Sequence, residues 1–331
     1  MTLFLNIIGL LIGFVFLIKG ADLFVDSSSS IAKKLKVPTL IIGLTLVSFG
    51  TSLPELAVSF TASLAAKAAG TTADIAMGNI IGSNIANLTL ILGASAILMP
   101  VAIKRSLVKR EFPFLILVTV LIALFGILFQ QNLVISQWEA VILLIFFVIY
   151  MYMMIKSDKE IIAVEEIQII NTKKAIILLI IGIAGVTLGG MLVTNSAEYL
   201  SIKILTESFG VSISNAQSFI GLSVVALGTS LPELVTSMVA AKKGESDIAI
   251  GNVIGSNVFN TIFIVGLAGI VSPLGISSGV AIDLFIALGI TLVVFIISFV
   301  KNKISKLSGV LLLVIYFSYI TYIVLRTFGI L

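Results

Sequence analysis

Two glutamates hold the chemistry of this sequence. Glu55 lies in residues 42–56, IGLTLVSFGTSLPEL, and Glu233 in residues 220–234, IGLSVVALGTSLPEL, with 50–56 recurring unchanged at 228–234. Each copy sets a Thr, a Ser, a Pro and a Glu inside an apolar run. A carboxylate at membrane depth is costly and marks a functional site by default. Pro54 has no N–H, so the carbonyl of Gly50 loses its helical donor, and Pro232 does the same to Gly228. Ser48 and Ala226 offer candidate carbonyls one turn earlier. A half-helix ending at such a break points its negative dipole end inward. Thr51, Ser52 and Glu55 span little more than one helical turn, so their oxygens can share a face. Thr229, Ser230 and Glu233 repeat that arrangement.

A second block adds amides and hydroxyls. Residues 74–87, DIAMGNIIGSNIAN, recur as 247–260, DIAIGNVIGSNVFN. Asn79, Ser83 and Asn87 are four apart, as are Asn252, Ser256 and Asn260, which places each trio on one helix stripe. Asn79 and Asn252 are read chiefly as hydrogen-bonding partners of neighbouring helices, and Ser83, Asn87, Ser256 and Asn260 as ligands. The donor set is all oxygen, with two negative charges. Such a set suits a hard cation, and calcium's six to eight flexible oxygen ligands fit it; sodium takes a similar set with less charge. Two neighbouring carboxylates resist ionising together in an empty site, so protons compete for the same place. One Ca²⁺, two Na⁺ or two H⁺ would each neutralise the pair.

The elements that must hold these groups are membrane helices. The 331 residues are 59% apolar and 11% charged, and the mean hydropathy is +1.24; soluble domains carry about 25% charged residues. Without Cys or His, disulfides, thiolate and zinc or haem sites and Ser-His-Asp triads are excluded. The net charge of +4 is no nucleic-acid signal, because the basic residues flank apolar spans. Apolar runs of spanning length fall near 3–25, 37–67, 71–99, 111–130, 137–155, 174–195, 216–241, 246–272, 279–300 and 307–328. The first is expected to be a retained helix, not a signal peptide. The third and eighth are rich in Gly, Ala, Ser and Asn, which suits the inside of a bundle. The fourth, fifth, ninth and tenth read as lipid-facing. Pro38 and Pro113 stand near span starts, and Trp138 reads as an interfacial anchor.

Charge placement supports the count. On a ten-span layout, 17 of the 20 Lys and Arg fall on one face, leaving Lys67, Lys203 and Arg326 on the other. Positive residues stay cytoplasmic, so both termini are expected outside. Each copy of the duplicated blocks then belongs to a five-helix repeat. Five is odd, so the second repeat enters the membrane inverted, an architecture of secondary transporters that alternate access around a midplane site. The expected fold is therefore an all-α integral membrane protein of ten transmembrane helices in two inverted repeats, 1–155 and 174–331. Residues 156–173 form a mixed-charge cytoplasmic linker. Asp22, Asp26 and Glu198 read as entrance or interfacial groups, and Asp74 and Asp247 as partners of positive helix N-termini.

At the paired GTSLPE and GNxIGSNxxN blocks the chain resembles the sodium/calcium exchangers of the cation/Ca²⁺ antiporter superfamily, compact prokaryotic type, across the whole ten-span layout. The resemblance implies that Glu55 and Glu233 are the central calcium and sodium ligands. It implies further oxygens from Thr51, Ser52, Thr229, Ser230, Ser83 and Ser256 and from the carbonyls near Ser48 and Ala226. It also implies exchange of about three Na⁺ for one Ca²⁺, electrogenic by charge count, with spans one and six sliding across the bundle. Asn87 and Asn260 are both neutral, whereas potassium-dependent relatives carry an Asp at the position of Asn260. Thr-Ser before each Glu favours sodium over the proton-coupled branch, which usually has Asn there. The expected partners are Ca²⁺, Na⁺ and the lipid bilayer, with no cofactor, nucleic acid or obligate protein partner, in the plasma membrane. A Ca²⁺/H⁺ antiporter on the same scaffold is the alternative, and a passive cation channel the rival of another class. An intramembrane hydrolase lacks a base: there is no His, and no Lys lies near Ser52 or Ser230.

Overall fold

The computed structural model describes residues 2–128, 133–156, 171–209, 226–327 and 330. Helix α1, Thr2–Leu35, carries Lys33 and Lys34 in its last turn, where cations complement the helix dipole. Pro38 then resets the chain. Helices α2, Thr39–Thr51, and α3, Leu53–Ala69, meet at a 50° bend. The bend falls at Ser52, whose φ of −81° and ψ of 9° leave the helical well. Pro54 two residues on begins a new helix where its missing N–H costs little. Gly70, at φ 67°, closes α3 with the left-handed residue that favours glycine. Then come α4, Asp74–Leu98, α5, Leu107–Ile127, and α6, Gln137–Lys156.

In the second half, α7 is Thr172–Phe209. Helices α8, Ala226–Thr229, and α9, Leu231–Lys242, repeat the break at Ser230, with φ −89° and ψ 5°. Helices α10, Ser246–Val271, and α11, Ser278–Lys301, precede α12, Lys306–Thr327. Among the described residues, eight helices are long and apolar enough to cross a membrane, and the bent α2–α3 pair makes a ninth. The span expected over 216–241 is described only from Ala226, and residues 157–170 of the expected linker lie outside the described residues.

Burial sorts the helices as their composition suggests. The most apolar windows of α4 and α10 are 78% and 83% buried, against 22% for α6, 28% for α12 and 17% for α1. The small-residue helices are thus the centre and α6, α11 and α12 the perimeter, whereas α5, expected to face lipid, is 44% buried, with Phe112, Leu115, Val118 and Ile122 turned into the core. Helix α1 joins that perimeter, although it also touches the core. Trp138 projects freely at the head of α6.

Helices α1 and α7 run against each other at backbone distance. A methyl group added at Gly20 would lie 2.7 Å from the Val186 nitrogen, and one at Gly189 would lie 2.6 Å from the Leu17 nitrogen. Only glycine permits so close an approach. The halves are also stitched by two short antiparallel pairs. Strand β1, Val101–Ala102, pairs with β4, Lys303–Ile304, in the register Val101 to Ile304. Strand β2, Val134–Ile135, pairs with β3, Leu274–Gly275, in the register Val134 to Gly275. Two buried carboxylates away from the centre are held by arginines. Glu111 accepts from Arg110 Nε at 2.6 Å, and Asp283 takes both Arg326 guanidinium nitrogens, at 3.0 and 2.9 Å.

Candidate cation site

Both breaks point at the two buried central helices. Glu55 and Glu233 sit in the first turns of α3 and α9, fully buried. Each carboxylate therefore faces the positive N-terminal end of its own helix. The sequence pattern anticipates the negative end of the preceding half-helix and misses this second half.

Each carboxylate is held by the opposite half of the chain. Ser52 Oγ donates to Glu233 Oε1 at 3.0 Å, and Ser230 Oγ lies 3.1 Å from Glu55 Oε1. Ser83 Oγ, on α4, lies 3.4 Å from the same Glu55 oxygen and 3.2 Å from Ser230 Oγ. Ser52 is thus a partner of the other repeat's glutamate, where the local spacing suggests sharing a face with Glu55. The threonines cross over as well. Thr51 Oγ1 bonds Asn252 Oδ1 at 2.9 Å, and Thr229 Oγ1 reaches Asn79 Oδ1 at 3.4 Å.

Asn79 and Asn252 fill the bridging role expected of them. Asn79 Nδ2 donates to Ser59 Oγ at 3.1 Å and Asn252 Nδ2 to Ser237 Oγ at 2.9 Å. The same nitrogens approach the backbone carbonyls of Glu55 and Glu233, at 3.4 and 3.5 Å. Each glutamate is thereby fixed at its main chain by the following helix and at its side chain by the other half.

The carbonyls at the breaks differ between the halves. Ser48 O accepts from the Ser52 N–H at 3.0 Å. It is therefore engaged, and the break does not free it. In the second half Ser230 N–H turns to Leu227 O at 3.2 Å, which relieves the Ala226 carbonyl of that helical bond. Ser48 Oγ is spent on Gly43 O at 2.7 Å.

The unpartnered atoms show what the site can bind. Of the buried side-chain atoms without a hydrogen-bond partner among the described residues, Glu55 Oε2, Glu233 Oε2, Asn87 Oδ1, Asn260 Oδ1 and Ser256 Oγ belong to this set, and others, such as Glu111 Oε2, lie away from it. A buried polar atom without a partner is costly, and native proteins tolerate few. Four of these five are pure acceptors in matched pairs, the pattern a bare cation would satisfy. The described residues contain no cluster of three acidic side chains, so the fixed charge available is that of the two glutamates. The π turns at Asn87–Ile91 and Phe259–Ile264 begin at Asn87 and one residue before Asn260. Such turns recur at functional sites, and nothing in residue type announces them.

Other described acidic residues lie elsewhere. Asp22 and Asp26 pair with Lys243 at 3.2 and 2.7 Å, tying α1 to the α9–α10 turn. Asp74 opens α4 and accepts from Thr72 Oγ1 at 2.6 Å. Asp247 opens α10 and takes Lys104 Nζ and Thr39 Oγ1, each at 2.9 Å.

Apolar crossing helices around a buried pair of carboxylates, each locked by the opposite half, define a class: a multi-pass membrane transporter of cations. The chain belongs to the sodium/calcium exchanger family, whose pattern matches residues 5–156 and 174–325. It is 32% identical to the sodium/calcium exchanger MaX1 of Methanosarcina acetivorans over 363 residues, covering 95% of this chain and 97% of that protein. It is 32% identical over 271 residues to the inner membrane protein YrbG of Escherichia coli K12, covering 80% of this chain and 79% of that one. Among solved structures, that of the sodium-calcium exchanger NCX_Mj soaked with Na⁺ and Sr²⁺ superposes with a TM-score of 0.80 at 31% identity, over 96% of this chain and 98% of that chain.

Proposed function

We propose that this protein is a Na⁺/Ca²⁺ antiporter that works by alternating access, with Glu55 and Glu233 as the central ligands of both ions. The observation that carries the reading is the matched pair of buried Oε2 atoms, each left without a partner while its sister oxygen is held by the other half. Together the carboxylates neutralise one Ca²⁺. Thr51, Thr229, Ser52, Ser230, Ser83, Ser256, Asn87 and Asn260, with the relieved carbonyl of Ala226, complete the oxygen shell; the Ser48 carbonyl, held by the Ser52 N–H, is left out of it. About three Na⁺ bound at the same carboxylates would leave one net positive charge, so exchange at that ratio moves charge. With Asn87 and Asn260 neutral, no third carboxylate is present to hold a co-transported K⁺.

The scaffold for this cycle is ten transmembrane helices in two inverted five-helix repeats, 1–155 and 174–331, joined by a cytoplasmic linker at 156–173. Both termini lie outside the plasma membrane. The recurrence of the break and of the π turn in both halves, and the two strand pairs that each join one half to the other, support this reading. The Ca²⁺/H⁺ alternative uses the same carboxylates, since two protons also neutralise them. Reconstituted protein with Na⁺ inside and radioactive Ca²⁺ outside separates the two at equal pH. Faster uptake at an inside-positive potential supports electrogenic Na⁺ exchange. Uptake that ignores Na⁺ and follows an inside-acid gradient supports proton coupling.

A further inference from the structure

An asparagine ligates a cation only through Oδ1, and its amide can equally well present Nδ2, which repels one. Which way it faces is fixed by the bonds its neighbours demand. Asn87 and Asn260 both leave Oδ1 unpartnered, and each spends Nδ2 on an asparagine of the opposite half. Asn87 Nδ2 donates to Asn257 Oδ1 at 2.9 Å, and Asn260 Nδ2 to Asn84 Oδ1 at 3.2 Å.

Both chains of bonds end on backbone carbonyls, which only accept. Asn257 Nδ2 donates to Asn84 O at 3.1 Å, so its Oδ1 is the atom turned to Asn87. Thr261 Oγ1 gives its one proton to Asn257 O at 2.6 Å and must therefore accept from Asn84 Nδ2, at 2.9 Å. That turns Asn84 Oδ1 toward Asn260. Asn84, Asn257 and Thr261 are buried, so water does not offer these groups an easy exchange of partners. Every direction in the network follows from its two fixed ends.

We propose that Asn84 and Asn257, with Thr261, are positioning residues that set the polarity of the two ligand amides and hold an oxygen toward the cation. The inference rests on the reading of Asn87 and Asn260 as ligands. It also couples the halves: the first repeat orients the ligand of the second, and the second orients that of the first.

The test measures the KM for Ca²⁺ in Na⁺-driven exchange by reconstituted protein, together with turnover and thermal stability. Asn257→Ala releases the Asn87 amide. Thr261→Val releases Asn84, and through it Asn260, with little change of shape. Loss of such an outer partner typically lowers metal affinity about 10–100-fold, so KM, measured well below each variant's thermal transition, should rise by a factor in that range, while Tm falls modestly because a buried amide loses its partner. In an Asn87→Asp background Asn257→Ala should add little, because a carboxylate offers oxygen either way round; Asn260→Asp should likewise absorb Thr261→Val. An unchanged KM in both positioning variants, or the same factor in both backgrounds, overturns the inference and leaves the ligand reading standing. If Asn87→Asp and Asn260→Asp themselves leave ion affinity and selectivity unchanged, the ligand reading fails, and this inference with it.

Discussion

Replacing Ser52 by alanine separates the folded arrangement from the one that local spacing suggests. Along the helix Ser52 is one turn from Glu55. In the fold its hydroxyl donates to Glu233 Oε1 at 3.0 Å, and both groups are buried. A hydrogen bond to a charged group contributes about 1.5–3 kcal/mol. Cation binding needs the carboxylate ionised and aimed, so Ser52→Ala should weaken Ca²⁺ binding by about 10–150-fold. Its partner identity is read from a double-mutant cycle, because coupled groups fail to add. On Glu233→Gln, Ser52→Ala should cost clearly less, keeping only the loss of its own oxygen to the cation; on Glu55→Gln it should cost its full amount. Ser230→Ala, whose hydroxyl lies 3.1 Å from Glu55 Oε1, should show the mirror pattern. The assay is Ca²⁺-dependent thermal stabilisation of purified protein, which reports binding even where transport is lost. Full additivity of Ser52→Ala with Glu233→Gln, and coupling with Glu55→Gln instead, would refute the crossed arrangement.

Other substitutions test the frame around the site. Arg326→Ala strips a two-nitrogen bond from Asp283, which is nearly buried; stability should fall by about 1.5–3 kcal/mol, seen as a lower Tm, while Ca²⁺ affinity holds. Gly20→Leu would force a side chain against the backbone at Val186; exchange should slow well beyond any loss of Ca²⁺ binding, because α1 and α7 must separate to admit it. Lys243→Gln removes pairs with Asp22 and Asp26 that are partly exposed; such pairs contribute about 0–1 kcal/mol, so exchange should change less than about fivefold, and high salt should erase the difference.

The duplicated blocks made the two glutamates, the kinked helices and the buried small-residue spans legible before any coordinates. Those features are local: a proline inside an apolar run breaks a helix wherever that helix packs. Partner choice is not local. Ser52 and Glu55 share a face on paper, but the 50° bend at Ser52 turns the hydroxyl to the other half. Asn84 and Asn257 escaped notice for a related reason. They lie one residue beyond Ser83 and Ser256, off the stripe formed by four-residue spacing. On a helix exposed on one side, that position would face solvent. Helices α4 and α10 are buried around most of their circumference, so an off-stripe amide meets the opposite repeat instead. The engaged Ser48 carbonyl could not be read either, because the helical bond from Ser52 N–H survives immediately before the bend. The two strand pairs are only two residues long each, too short to leave a period in the sequence.

The most direct test of the account is Na⁺-gradient-driven Ca²⁺ uptake into proteoliposomes, at equal pH, for the native protein, Glu55→Gln and Glu233→Gln. An amide keeps the shape of each side chain and removes its charge. The account predicts uptake that requires internal Na⁺ in the native protein and is abolished in both variants, each still folded by its thermal transition. Normal uptake in either variant would contradict it.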